Sequence, residues 1–218
     1  MRIVFLGSYS ENKKILLLSM AKVLSLEHSV KIFSTHRYDY DEGYSDVYDF
    51  CGTEIHHFDT ENRLKQVMES NPCDYALIDT HLALNAGHDI KLASLLKAER
   101  SSFEETVEQT RALLEQYPYT DIHLIYYDVP EYSRVNGKFL ETLYCRRIND
   151  SVNLTKNYTI YFEEENAAAF LESLYEERLT LKRFTPVWKM QLLNILSDLT
   201  GIELKQLKEY LKKSERMK

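Results

Sequence analysis

The chain has 218 residues, of which 44% are hydrophobic and 28% are charged, as in an ordinary folded domain and unlike a disordered chain. Its formal net charge of −7 argues against a broad nucleic-acid-binding face, so we expect no nucleic-acid partner. The apolar start MRIVFL is too short for a signal peptide, and no run approaches the roughly 20 apolar residues of a membrane span, so we expect a cytoplasmic protein.

The first half of the chain alternates predicted strands with predicted helices. Short apolar runs indicate buried strands, and apolar residues at helical spacing indicate the helices between them. Strand, helix and strand joined by short connections are typical of a parallel sheet. In chain order we predict a strand at 2–6, a helix at 12–26, a strand at 29–34, a strand at 53–58, a helix at 60–70 capped by Asp59 or Thr60, and a strand at 75–78 that ends in Asp79.

Residues 36–50, HRYDYDEGYSDVYDF, differ from their surroundings because tyrosines alternate with acidic residues. We interpret this segment as a solvent-exposed excursion anchored by its aromatic rings. The alternative is a surface for protein contact, since tyrosine is enriched at interfaces.

The second half repeats the alternation and then changes to helices alone. Residues 90–98 are a further apolar run, and Ser102 with Glu105 has the spacing of a capping box. The tail from 185 to 218 contains no strand pattern and divides into two helices at Gly201, with Thr185 and Pro186 as cap and first turn. The other predicted elements are a helix at 102–116, a strand at 121–128, a helix at 139–148, a strand at 157–162 and a helix at 164–177.

This order predicts a doubly wound α/β domain with a mostly parallel sheet between two helical layers, as in Rossmann-like folds. We place the domain at residues 1–180. Residues 181–218 form a helical C-terminal extension packed on or beside it.

The segment GSYSENKK, residues 7–14, lies between the first strand and the first helix. A phosphate-binding P-loop reads G-x-x-x-x-G-K-[ST] in that context. Gly7 and Lys13 occupy the places of the first Gly and the Lys, whereas Asn12 replaces the second Gly and Lys14 replaces the Ser or Thr. In open α/β sheets, ligands bind beyond the carboxyl ends of the strands, which is where this loop lies.

The chemistry of each position favours anion binding over metal-dependent hydrolysis. Asn12 is a good non-glycine residue for a left-handed backbone position, and Lys13 can reach the phosphates of a nucleotide. An ammonium group at Lys14 cannot ligate Mg²⁺, so we do not expect Mg²⁺ to be held in the usual way, while ATP stays open as a ligand. In the alternative interpretation, Lys13 and Lys14 face solvent in the first helical turn. The candidate anion-binding residues are Gly7, Ser8, Asn12, Lys13, Lys14 and Asp79.

Asp79 has two interpretations. It is either the acid that holds Mg²⁺ through water at the end of a strand or a cap for the following loop. His81 with His88 and Asp89 is weak evidence for a metal, and Cys51, Cys73 and Cys145 are too widely spaced for zinc or a disulfide framework. We predict no metal site and no catalytic residue, and we expect free thiols.

Over residues 1–175 the order of elements, with GSYSENKK, VKIFS and DYALIDT, resembles the ParA/MinD-like (SIMIBI class) P-loop proteins. Asp79 and Thr80 match the family's strand ending in Asp-Thr. Ser8 stands where the family has a signature Lys, and Ser34, Thr35 and His36 stand where its second strand ends in a water-activating acid. Tyr127 and Asp128 stand where an Asn often recognises the base. The resemblance implies a divergent member that has lost efficient hydrolysis and acts as an adaptor or positioning protein in a secretion, pilus or conjugation machinery.

Two alternatives stay open. One is an active ATPase that uses Lys13 and Asp79 with unusual metal support. The other follows from NRLKQVMESNPCDYALIDTHL, which is similar to the middle of response-regulator receiver domains, with Asp79 in the place of the phosphoacceptor. Gly7 and Ser8 replace the acidic pair of an active receiver, so this alternative is a degenerate receiver-like interaction domain.

The C-terminal helix places Leu204, Leu207 and Leu211 on one face, and its lysines lie largely elsewhere. Membrane contact through 202–218 is an alternative, but the apolar face is narrow, and we favour packing onto the domain. We expect protein partners, with a homodimer among them.

Overall fold

The computed structural model describes residues 1–40, 45–84, 90–116, 121–148 and 153–216. Eight strands form one sheet in the order β3-β4-β2-β5-β1-β6-β7-β8. The strands are β1 (Arg2–Leu6), β2 (Val30–Ser34), β3 (Val47–Phe50), β4 (Thr53–His57), β5 (Tyr75–Thr80), β6 (Ile90–Lys97), β7 (Ile122–Val129) and β8 (Leu154–Tyr161). The α-helices are α1 (Glu11–Leu24), α2 (Glu61–Ser70), α3 (Arg100–Gln116), α4 (Gly137–Ile148), α5 (Glu164–Tyr175), α6 (Pro186–Thr200) and α7 (Leu204–Ser214), with a 3₁₀ turn at Leu181–Arg183 before α6.

The centre of the sheet is β1, which pairs in parallel with β5 on one side and β6 on the other. All neighbouring strands run parallel except the edge pair β3 and β4, which is antiparallel. Strands β2 to β5 lie on one side of β1 and strands β6 to β8 on the other, so the carboxyl end of β1 lies where the strand order reverses. Ligands of open α/β sheets bind at this place.

Each face of the sheet has its own hydrophobic core, since successive side chains of a strand point to opposite faces. Ile3 and Phe5 of β1 join a core with α1, α5, α6 and α7, whereas Val4 and Leu6 join a core with α2, α3 and α4. The prediction of a doubly wound, mostly parallel α/β fold with a helical C-terminal extension is therefore confirmed.

The C-terminal helices complete the first of these cores. Trp188 of α6 packs edge-on against Phe170 and Phe184, with ring centroids 5.6 and 4.6 Å away. On α7, the side chains of Leu207, Tyr210 and Leu211 are buried against the domain, so the apolar face of this helix is already covered. Within the described ranges, each helix is too short or too polar to cross a bilayer.

The apolar run 90–98, to which the sequence analysis assigned no element, is strand β6 beside β1. Two details differ from the sequence predictions. Helix α3 begins at Arg100, so the predicted capping box at Ser102 and Glu105 is wrong because both residues lie inside the helix. The Tyr/Asp segment contributes strand β3, and Tyr38 is fully buried; residues 41–44 of this segment lie outside the described part of the chain.

Candidate functional site

The candidate site lies at the carboxyl ends of β1, β2 and β5. Asp79 is paired in register with Phe5 of β1 and Ser34 of β2, so its side chain is centred between the strand ends. The connection from β1 to α1 runs over the same edge, from Gly7 to Ser10.

Gly7 is required by close packing on the neighbouring strand. Its φ is +145°, and a Cβ placed on it would lie 2.5 Å from the carbonyl oxygen of Leu95 in β6. Its backbone N–H donates to the side chain of Gln109 at 3.1 Å. The need for glycine at this position is therefore explained without a phosphate.

The N-terminus of α1 is already capped. The Ser10 hydroxyl accepts from the backbone N–H of Lys13 at 3.1 Å and contacts the Tyr127 hydroxyl at 3.0 Å. Glu11 places a carboxylate in the first turn, close to the positive end of the helix. An anion at this helix end would use its free backbone N–H groups and the positive field of the helix dipole. Ser10 and Glu11 of the chain already occupy part of both.

Asn12 lies inside α1, so the expectation of a left-handed backbone at this position is wrong. Its side-chain amide instead donates to the carboxylate of Asp128. Asp128 lies near the end of β7, directly after two buried tyrosines, and has a left-handed φ of +55°. Burial raises the pKa of Asp128, while the hydrogen bond from Asn12 opposes that shift. Ser8 is buried beside the Tyr127 hydroxyl, and burial raises the pKa of Tyr127 to about 12.

Lys13 is the centre of a buried ion pair. Its Nζ lies 2.6 Å from Oδ1 of Asp79 and donates to the carbonyl oxygen of Gly7 at 2.8 Å. The lysine side chain is only 1% exposed, so the alternative of solvent-facing lysines is wrong. Burial pushes the pKa of Asp79 up, but the Lys13 ammonium outweighs it and holds that pKa below its usual value.

The other oxygen of Asp79 is also occupied. Tyr38 donates its hydroxyl to Oδ2 at 2.8 Å, and Ser34 donates at 3.2 Å. Burial, together with the nearby carboxylate, raises the pKa of Tyr38 well above its usual value, which keeps this hydroxyl a donor. Tyr38 was not among the residues predicted for the site, although it lies shortly after β2, close to where the family's acidic residue would stand.

Lys14 is enclosed by a cage of aromatic rings. Its Nζ lies 3.0 Å from the Glu11 carboxylate and donates to the carbonyl oxygen of Tyr38 at 3.1 Å. Such rings attract a buried ammonium through their negative faces. The rings lie within 4.6 to 5.6 Å of Nζ, measured to their centroids, and belong to Tyr9, Tyr38, Tyr40 and Phe50.

The mouth of the site carries a row of three rings. His36 lies 5.1 Å from Tyr9 and 5.1 Å from His81, measured between ring centroids. Burial lowers the pKa of His36, although the Asp79 carboxylate opposes this shift. His88 and Asp89 lie outside the described residues, and within the described ranges no three His, Cys, Asp or Glu side chains are grouped to hold a metal ion.

These contacts do not fit a magnesium nucleotide held in the usual way. The carboxylate that would face the ion is neutralised by Lys13 and hydrogen-bonded by Tyr38, and position 14 offers an ammonium that another cluster holds. The Lys13 ammonium, which would face a phosphate, is engaged by Asp79 and by the carbonyl oxygen of Gly7.

No protein-family description and no curated protein sequence matches the chain. Solved structures do resemble it, among them an ATP complex of a McdA variant from Cyanothece, with a TM-score of 0.60 at 12% identity over 93% of this chain and 96% of that chain. Apo McdA from Cyanothece has a TM-score of 0.54 at 13% identity, with 98% of each chain covered. A putative plasmid partition protein from Borrelia burgdorferi B31 bound to AMPPNP has a TM-score of 0.50 at 12% identity, covering 97% of this chain and 98% of that one.

At such identities the similarity concerns the fold. The chain has the ParA/MinD-like α/β fold, as the sequence resemblance predicted. A receiver domain has the strand order 2-1-3-4-5, in which the first two strands are neighbours. Here β5 lies between β1 and β2, so the receiver-like alternative is wrong.

Proposed function

We propose that this ParA/MinD-like protein is a scaffold or regulator that binds nucleotide weakly or not at all and acts through protein contacts, in a machinery of the secretion, pilus or conjugation type. The observation that carries the proposal is the buried pair of Lys13 and Asp79. Under this proposal the loop at residues 7–14 is a degenerate P-loop, and Gly7, Ser8, Asn12, Lys13, Lys14 and Asp79 have structural roles that replace nucleotide chemistry.

The ion pair opposes nucleotide binding through its burial. If Lys13 turned to a phosphate, the Asp79 carboxylate would lose its counter-charge at a site where its side chain is only 2% exposed. Breaking such a buried pair costs about 3–5 kcal/mol, which corresponds to a loss of roughly two to four orders of magnitude in affinity.

The surroundings of the loop oppose hydrolysis for separate reasons. Position 14 supplies no hydroxyl for Mg²⁺, and the end of β2 supplies Ser34 and His36 where a carboxylate would orient water. Lys14 cannot replace the missing Mg²⁺ charge, since Glu11 and the aromatic cage already hold it.

The test measures binding and turnover of ATP with the purified full chain. Isothermal titration with ATP, with and without Mg²⁺, is expected to show a dissociation constant in the millimolar range or weaker, and phosphate release is expected at the background rate. The Lys13→Arg variant keeps a positive charge beside Asp79, and the exposed Lys208→Met variant serves as the matched control. Circular dichroism establishes that both variants are folded. Turnover that Lys13→Arg abolishes and Lys208→Met retains would overturn the proposal in favour of an active ATPase.

The protein contacts include self-association in our proposal. Light scattering of the purified chain measures this directly, and the expected species is a homodimer whose mass does not depend on added ATP. A dimer that formed only with ATP would contradict a role independent of nucleotide.

A further inference from the structure

The surface around α4 carries a cluster of positively charged side chains. Arg134, Lys138 and Arg146 line a cavity of about 380 Å³, and no carboxylate lines it. These three cations are exposed and form no ion pair with any residue in the described ranges. The chain as a whole has a net charge of −7, so this cluster of positive charge is a local property that favours a ligand of opposite sign.

An apolar groove adjoins this cavity. Its volume is about 290 Å³, and Phe139 and Leu143 line both spaces. The Phe139 side chain is 50% exposed although it is large and apolar. Among the other charged residues that line the groove, Arg147 pairs with Glu104 at 3.0 Å, and Arg100 forms no ion pair within the described part of the chain. The apolar lining consists of Ala98, Phe103, Val135, Phe139, Leu140 and Leu143.

The two spaces together define the chemistry of an occupant. The groove is concave and mostly aliphatic, so it takes a bulky apolar side chain that inserts into it. The neighbouring cations take carboxylates, and the guanidinium groups of Arg134 and Arg146 suit them well. The loop before α4 also exposes Tyr132, at 96%, and exposed tyrosines are frequent at protein interfaces.

Two other polyanionic surfaces fit less well. Nucleic acid supplies phosphates for the cations but has no aliphatic side chain for the groove, and the net charge of −7 opposes a long polyanion. An anionic bilayer is approached by protruding apolar side chains, whereas here the apolar surface is recessed.

We infer that the α4 surface, defined by Arg134, Lys138, Phe139, Leu143 and Arg146, is the docking site for an acidic protein segment that carries a bulky apolar residue. The apolar residue enters the groove beside Phe139, and the acidic residues beside it reach the three cations. This inference rests on the proposed function, because it gives the chemistry of a protein contact made by the scaffold.

The test selects ligands without assuming their sequence. Random 12-residue peptides displayed on phage are selected on the immobilised full chain, and the enriched peptides are synthesised with a fluorophore and titrated by anisotropy. We expect enriched peptides to combine Asp or Glu with Leu, Phe or Trp. Their affinity should fall as salt is raised from 50 to 500 mM, since exposed charge pairs are screened.

Variants locate the binding to this surface. The double variant Lys138→Glu/Arg146→Glu and the single variant Phe139→Ala are each expected to weaken binding about tenfold or more. The matched controls are Lys208→Glu, an exposed lysine on α7, and Leu171→Ala, an apolar side chain on α5 that is 57% exposed. Both controls should leave the affinity within about twofold. Circular dichroism and thermal unfolding of every variant establish that the fold is kept.

Several outcomes would overturn the inference. The first is a selection that enriches no acidic peptides, and the second is peptide binding that neither α4 variant weakens. A third is tight binding of a 20-nucleotide DNA or of phosphatidylserine vesicles that the α4 variants abolish while peptides do not bind. The two proposals fail separately: ATP turnover would overturn the non-hydrolysing scaffold and leave peptide binding in place, whereas loss of peptide binding without turnover would overturn only the docking site.

Discussion

At the scale of single residues, the position of Lys13 is the strongest constraint in the site. Because the ammonium and the Asp79 carboxylate are both buried, removing one leaves the other uncompensated. We predict that Lys13→Met lowers the free energy of unfolding by about 3–5 kcal/mol. Urea denaturation followed by circular dichroism measures this change.

A double variant separates the charge from the packing. Lys13→Met combined with Asp79→Asn should recover most of the lost stability, since neither charge is then left alone. The exposed Lys208→Met variant should change the free energy of unfolding by no more than about 0.5 kcal/mol. If Lys13→Met lowered the free energy of unfolding as little as Lys208→Met does, the buried pair would not stabilise the folded chain.

The same pair predicts a dependence of stability on pH. The pKa of Asp79 in the folded chain is held below its ordinary value of 3.8. The carboxylate therefore contributes stability that is complete above about pH 4 and is lost as the pH falls through the lowered folded pKa. Unfolding free energies between pH 2.5 and 6 should decline more steeply for the wild type than for Asp79→Asn. Parallel curves for the two proteins would show that Asp79 does not cause this dependence of stability on pH.

The candidate residues of the site could be predicted from the sequence, but their contact partners could not. The position of GSYSENKK after a buried strand was enough to place Gly7 and Lys13 at the ligand edge of the sheet. The pairing of Lys13 with Asp79 and the enclosure of Lys14 join segments far apart in the chain, and no local pattern encodes such contacts. The sequence indicated that aromatic rings anchor the segment 36–50 but not which of them is buried: Tyr38 is fully buried, whereas Tyr40 is 58% exposed.

At the scale of elements, the start of α6 could be predicted from a local sequence pattern alone. Thr185 accepts from the backbone N–H of Trp188 at 3.2 Å, and Pro186 occupies the first helical turn. We predict that Thr185→Ala lowers the free energy of unfolding by about 1–2 kcal/mol, since it removes a cap and contacts to Glu163 and Asn166. Urea denaturation is again the measurement.

Two further variants make that test specific. Thr185→Ser keeps the capping hydroxyl and should retain most of the stability. Thr142→Ala removes an exposed hydroxyl inside α4 and should have little effect. Equal losses for the alanine and serine variants at 185 would point to the methyl group rather than to the cap.

Other elements show why boundaries were harder to predict. The capping-box spacing of Ser102 and Glu105 predicted that the helix begins at 102. Helix α3 begins instead at Arg100, directly after the loop that follows β6. Strand β3 was missed because an antiparallel edge strand with one exposed face needs few apolar residues. The central strands, buried on both faces, have the continuous apolar runs that made them easy to predict.

At the scale of the whole molecule, α6 and α7 belong to the same core as α1. Leu192, Leu196 and Leu207 are fully buried in it. We predict that a chain ending at residue 180 loses cooperative unfolding and exposes the apolar face of α1, because the two helices that cover this face are gone. Near-ultraviolet circular dichroism and binding of a hydrophobic dye are the measurements.

A shorter truncation is the matched control. A chain ending at Arg216 keeps both helices and should unfold in a single transition like the full chain. A chain ending at 180 that unfolded cooperatively and bound no dye would show instead that residues 1–180 are an independent domain.

The packing of Trp188 has an optical consequence. It is the only tryptophan of the chain, and it is buried between Phe170 of α5 and Phe184 in the segment that leads into α6. Its emission on excitation at 295 nm therefore reports on one place, the contact between the C-terminal helices and the sheet domain. Detachment of these helices would shift the emission to longer wavelength, so the unlabelled protein carries its own fluorescent sensor of that contact.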